Sequence, residues 1–171
     1  MNKFKVELKK IEYSERMSEE TMCFAADLYI NGKNVGYCKN DGHGGPNDYN
    51  GNTKEDKQLI RECEEYCKTL PKQKADGYDF MYQPSLETMI DDFLTNWLKK
   101  KDEKKMKKLF TTAIVIGIPN ADKYSYFNYK KPLSTIDKGK LQQAVMNIKT
   151  NHCKDGIVIL NDNLKQLGIQ I

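Results

Sequence analysis

The chain has 171 residues, with 28 Lys+Arg against 24 Asp+Glu (a formal net charge of +4), 39% hydrophobic and 30% charged residues. That length and apolar content support a core that folds without disulfides or a structural metal, and they exclude an intrinsically disordered chain. No stretch approaches the roughly 20 apolar residues that cross a bilayer.

In chain order, residues 3–9 alternate strictly, with Phe4, Val6 and Leu8 on one face and lysines and Glu7 on the other, which predicts a half-buried strand. The opening MNKFKVELKK lacks the apolar core of a signal peptide, and five cysteines without such a signal read as reduced thiols, so a cytoplasmic setting is expected. Residues 10–20 are polar and read as a loop or a frayed strand end. Residues 22–30 form a second strand with Phe24, Ala26, Leu28 and Ile30 inward, and Asn31-Gly32 predicts a hairpin over 22–39 because both turn residues take positive φ.

Residues 40–53, NDGHGGPNDYNGNT, read as a loop. A helix follows over 54–70, with Leu59, Ile60, Cys63, Tyr66, Cys67 and Leu70 at helical spacing, and ends at Pro71. A connector over 71–84 carries Tyr78, Phe80 and Tyr82. Ser85 caps a second helix with Leu86, Met89, Ile90, Phe93, Trp97 and Leu98 inward, running through the lysine segment to about Lys108. The apolar run 111–118 predicts a strand buried on both faces. Residues 123–131 form a strand after a Pro119-Asn120 turn. Asp137 caps a third helix with Leu141, Ala144, Val145 and Ile148 inward. A short buried strand (157–160), a helical turn (162–167) and an apolar tail (168–171) close the chain. The fold class is α+β with a mainly antiparallel sheet, an N-terminal β-hairpin and about three helices. The chain reads as a single domain over 1–171, with a two-lobe division placed near 99–111.

Five features carry candidate chemistry. In the loop, Gly42, Gly44 and Gly45 let the backbone approach a ligand closely. Asn40, Asp41, His43 and Asn47 offer polar contacts, and His43 is the one candidate acid/base if the protein is a phosphodiesterase or nuclease. The loop matches neither the dinucleotide fingerprint nor the P-loop, and its blander reading is a set of permissive turns. The aromatic-basic segment with Tyr124, Tyr126, Lys130 and Lys131 can stack a base and contact a phosphate, or is an ordinary strand with a packed aromatic face. Residues 99–108 place Lys99, Lys100, Lys101, Lys104, Lys105, Lys107 and Lys108 against Asp102 and Glu103, a local +5. They form either a solvated helix face or a nucleic-acid contact. The remaining 161 residues then sum to −1. Cys63 and Cys67, four apart on the apolar face, read as buried thiols rather than zinc ligands, so no metal and no cofactor are expected. Asp91 and Asp92 are adjacent and point to different helix faces, and no catalytic serine, cysteine or metalloprotease motif occurs.

The segment Phe24-x-Ala-x-Leu-Tyr-Ile-Asn-Gly-Lys-x-Val-Gly, the following Asn40-Asp41-Gly42-x-Gly44-Gly45 and the C-terminal Ile159-Leu160-Asn161-Asp162-Asn163-Leu164 resemble a group of small accessory proteins of bacteriophage and prophage genomes. No activity is established for that group, so no catalytic residue carries over. The resemblance implies a product made in a bacterial host cytoplasm that counters host defences. It would do so by binding a host protein or sequestering a nucleotide ligand, here through the 40–53 loop. The alternatives from the residues are a nucleic-acid-associated protein using the Lys99–Lys108 helix and the Tyr124–Lys131 segment, and a small hydrolase. No membrane partner is expected, and the residues assign no oligomeric state.

Overall fold

The computed structural model describes residues 3–74, 79–119, 121 and 123–171. Tyr78 of the connector and Asn120 of the expected turn lie outside these. The fold is α+β, with three α-helices among the described residues and antiparallel pairing between every described pair of strands. The chain divides into two units, Met1–Leu98 and Lys99–Ile171.

The first unit is a four-stranded sheet in the order β1-β2-β3-β4, with β1 at Val6–Tyr13, β2 at Phe24–Ile30, β3 at Lys33–Asn40 and β4 at Asp48–Gly51. Asn31 and Gly32 turn β2 into β3 at φ 52° and 81°, as the sequence predicts. Strand β1 starts later and runs further than its alternation suggests. A register shift between Lys9 and Glu12, with Lys10 at φ 49°, absorbs the break in pattern, so of the two readings of this segment residues 10–13 take the strand. Strand β4 falls inside the expected loop. It forms because Gly36 lets the Asn50 carbonyl approach where a Cβ would clash.

Helix α1, Lys54–Lys68, starts at Thr53. The Thr53 Oγ1 accepts from Asp56 N at 3.1 Å and donates to Asp56 Oδ2 at 2.9 Å. The connector forms a two-stranded ribbon, β5 (Gln73–Lys74) with β6 (Met81–Tyr82). Helix α2, Leu86–Phe110, begins at Ser85, whose Oγ accepts from Thr88 N at 3.1 Å. Phe24, Leu28, Ile30, Val35, Cys38, Ile60, Cys63, Cys67, Leu86, Ile90 and Leu94 make one buried cluster between the inner sheet face and the two helices.

In the second unit α2 ends at Phe110, and strand β7 (Ala113–Gly117) lies between β8 (Tyr124–Asn128) and β9 (Val158–Ile159). Every residue of β7 is buried, because alternate side chains enter different clusters. Ala113 and Val115 pack with Met106, Leu109 and Phe110 of α2. Ile114 and Ile116 pack with Leu141, Val145 and Ile148 of α3 (Lys138–His152). Asp137 caps α3, its Oδ1 accepting from Lys140 N at 3.0 Å. The closing strand differs from expectation, since Val158 is 42% exposed and β9 has only two residues. Asn161 completes its work. The Asn161 Oδ1 accepts from Val115 N at 2.7 Å and its Nδ2 donates to the Ala113 carbonyl at 2.9 Å, so a side chain extends the β7 ladder. Among the described residues no helix is long and apolar enough to cross a membrane.

Candidate functional site

The glycine-rich segment leaves β3 at Asn40 and enters β4 at Asp48. Three glycines take positive φ (Gly42 at 89°, Gly44 at 94°, Gly45 at 85°), which coils the backbone tightly. The Gly42 carbonyl accepts from three successive N–H groups, Glu19 and Glu20 at 3.0 Å and Thr21 at 3.3 Å. A Cβ at Gly42 would run into the Met17 carbonyl oxygen, so this close approach requires glycine.

Asn40 holds the coil from inside. Its Oδ1 accepts from Thr21 Oγ1 at 2.7 Å and Gly42 N at 2.9 Å. Its Nδ2 donates to the Gly45 carbonyl at 3.3 Å and to Asn47 Oδ1 at 3.1 Å. Asn47 ties the loop to α2, with its N donating to Glu87 Oε1 at 2.9 Å and its Nδ2 to Asp91 Oδ1 at 2.7 Å. Both asparagines are buried, so the amide groups expected to face a ligand are engaged within the protein. Asp41 and His43 stay exposed. The His43 N donates to Asp41 Oδ1 at 3.2 Å, and the His43 Nδ1 lies 3.3 Å from Glu19 Oε2.

The loop separates two clefts. One, of about 570 Å³, is lined by Tyr13, Phe24, Ala25, Lys39, Gly45 and Pro46, with Glu12, Asp41 and Asp48 also on its walls. Lys39, its only cation among the described residues, sits 3.4 Å from Asp48 Oδ2. The other, of about 460 Å³, is lined by Glu19, Glu20, Glu87 and Asp91 with Thr21, Met22, Asn40 and Asn47, and by no basic residue among the described ones. Burial pushes the Asp91 carboxyl above its ordinary value, and the like charges of Glu87 and Asp92 add to this against the Asn47 hydrogen bond. Sequence reasoning missed Thr21, Glu87 and Asp91 as members of this site. The adjacent Asp91-Asp92 pair was the one signal, and the second helix face it predicts is where Asp91 meets the loop.

The remaining expected residues lie in the second unit. In β8, Tyr124 packs against the α2 end, Phe127 with Tyr129 just beyond the strand packs against the α3 side, and Tyr126 stays 53% exposed. The Lys130 N donates to Asn128 Oδ1 at 2.8 Å, and Lys130 and Lys131 are exposed. His152 packs against Phe127 with ring centroids 5.0 Å apart and the ring planes tilted by 54°. Cys63 and Cys67 are fully buried, and burial pushes the Cys63 thiol up to about 12. Among the described residues no group of three His, Cys, Asp or Glu is placed to hold a metal ion. Comparison with protein-family models, with curated proteins and with solved structures returns no match.

Proposed function

We propose that the chain is a non-enzymatic binding protein, a phage accessory or anti-defence factor, that recognises a host protein along the two sides of the 40–47 loop. The observation that carries this reading is the charge of the two clefts. Glu12, Asp41 and Asp48 flank one and Glu19, Glu20, Glu87 and Asp91 the other, with Lys39 as the single cation among the described lining residues and already paired. A phosphate brought to either side meets like charge at close range, whereas a basic segment of a protein meets complementary charge. The internally bonded asparagines fix the loop as a preformed wall, which favours recognition by shape over a reactive centre. Lys130 and Lys131, the cations that would neutralise a nucleotide, belong to the second unit.

Crosslinking in a bacterial lysate tests this. Wild-type chain is expected to capture a protein that the double substitution Glu19→Lys/Glu20→Lys loses, while a thermal-shift panel of nucleotides leaves the melting temperature unchanged. A nucleotide that raises the melting temperature overturns the reading in favour of nucleotide sequestration, and altered nucleotide recovered after incubation would point to His43 as an acid/base.

A further inference from the structure

The charge of this protein is divided between its units. Residues 1–98 hold 13 Lys+Arg against 18 Asp+Glu, a net −5, and residues 99–171 hold 15 Lys against six Asp+Glu, a net +9. The body outside the lysine segment is therefore not uniformly neutral. Its −1 combines an acidic first unit with a basic remainder of the second.

Within the second unit the charge is also aligned. At 100° per residue, Lys100, Lys101, Lys104, Lys105, Lys107 and Lys108 fall on an arc of about 160° of α2. The opposite side carries Met106, Leu109 and Phe110, which pack against Ala113 and Val115. All six lysines are exposed, and among the described residues Lys100, Lys104, Lys105, Lys107 and Lys108 pair with no carboxylate. Asp102 and Glu103 lie outside the arc. Six cations over about 12 Å of helix give one per roughly 2 Å, close to the duplex density of about one phosphate per 1.7 Å of axis.

We infer that this face of α2 binds nucleic acid through its phosphate backbone, without reading base sequence. Each cation of the second unit is a lysine, a compact charge that neutralises phosphate without the rigid planar fork that arginine presents. An anionic membrane fits less well, because a helix lying in a lipid interface needs a free apolar face and the apolar face here is packed. An acidic protein would have to hold carboxylates at duplex-like density along a straight edge, against their own repulsion.

The test is fluorescence anisotropy with a mixed-sequence 20-base-pair DNA between 50 and 200 mM NaCl. Expected is binding at 50 mM, insensitive to base sequence, with a log–log salt slope of about −5.4 and a roughly 1,800-fold loss of affinity across that range. The variant Lys104→Gln/Lys105→Gln/Lys108→Gln, whose fold is checked by far-UV circular dichroism, should bind with a slope shallower by about 2.7. The charge-matched Lys54→Gln/Lys57→Gln/Lys72→Gln in the first unit should bind like wild type. Should the helix variant fail to fold, Lys100→Gln/Lys107→Gln takes its place, with a slope shallower by about 1.8. Absence of binding at 50 mM, equal losses in the two triple variants, or tighter binding to vesicles holding 30 mol% phosphatidylserine than to DNA at the same salt overturns the proposal.

Discussion

Gly42 shows how much of the candidate site rests on one atom that is absent. Its φ of 89° and its carbonyl, shared by three N–H groups, hold the 18–21 segment to the loop, and a methyl group there meets the Met17 carbonyl and the Cys23 Cβ. Gly42→Ala is expected to cost roughly 2–3 kcal/mol, read as a lower midpoint in urea with an unchanged m value. Asp91 makes the opposite prediction. Its folded carboxyl keeps its proton to a higher pH than the unfolded one, chiefly through burial. The stability from that proton is present below the unfolded value and is lost as pH rises through the folded one. Asp91→Asn removes this loss and keeps an oxygen for the Asn47 Nδ2. Its melting temperature should exceed that of wild type at pH 7, with the gap closing as pH falls toward 3.5. A variant that melts below wild type at pH 7 would mean that the charged hydrogen bond outweighs burial. The loop's position was legible from its glycines and asparagines. The inward turn of Asn40 and Asn47 was not, because their partners Thr21, Glu87 and Asp91 lie 19, 40 and 44 residues away in sequence.

At the scale of elements, legibility followed side-chain periodicity. The hairpin 22–39 and all three helices announce themselves through a Gly-containing turn, capping residues and apolar spacing. Strand β4 does not, and strand β9 is legible as a short strand within 157–160 but not in the exposure of Val158. The first exists because β3 presents it a free edge and a glycine, and the second because Asn161 substitutes for a backbone partner. Asn161 is the sharper case. It is 3% exposed and satisfies one donor and one acceptor of the buried strand β7, while its neighbour Asn163 donates to the Phe110 carbonyl at 2.9 Å. Asn161→Leu keeps similar volume but strands the Val115 N–H and the Ala113 carbonyl away from water. A loss of about 3 kcal/mol is expected. Amide exchange read by mass spectrometry should rise in 113–117 more than in β2 or β3. Equal protection would show that water or a backbone shift replaces the side chain.

For the whole molecule, the five cysteines form a map that one reagent reads in both units. Cys38, Cys63 and Cys67 are buried, and burial pushes the Cys38 and Cys63 thiols up to about 12. Their thiolate, the reactive form, is absent near pH 8 until the fold opens. Cys23 and Cys153 are half-buried. Native alkylation with iodoacetamide at pH 8 should therefore modify Cys23 and Cys153 first, and the other three only on the timescale of opening, with denatured chain taking five equivalents. The two fast sites also sit in different functional settings. Cys23 lines the cleft beside the 40–47 loop, and Cys153 ends α3 in the second unit. A host protein seated on the loop should slow labelling of Cys23 and leave Cys153 unchanged. Nucleic acid on the lysine face of α2 should leave Cys23 unchanged. Protection of Cys23 by DNA alone would place the nucleic acid at the loop and contradict the separation of the two surfaces by charge.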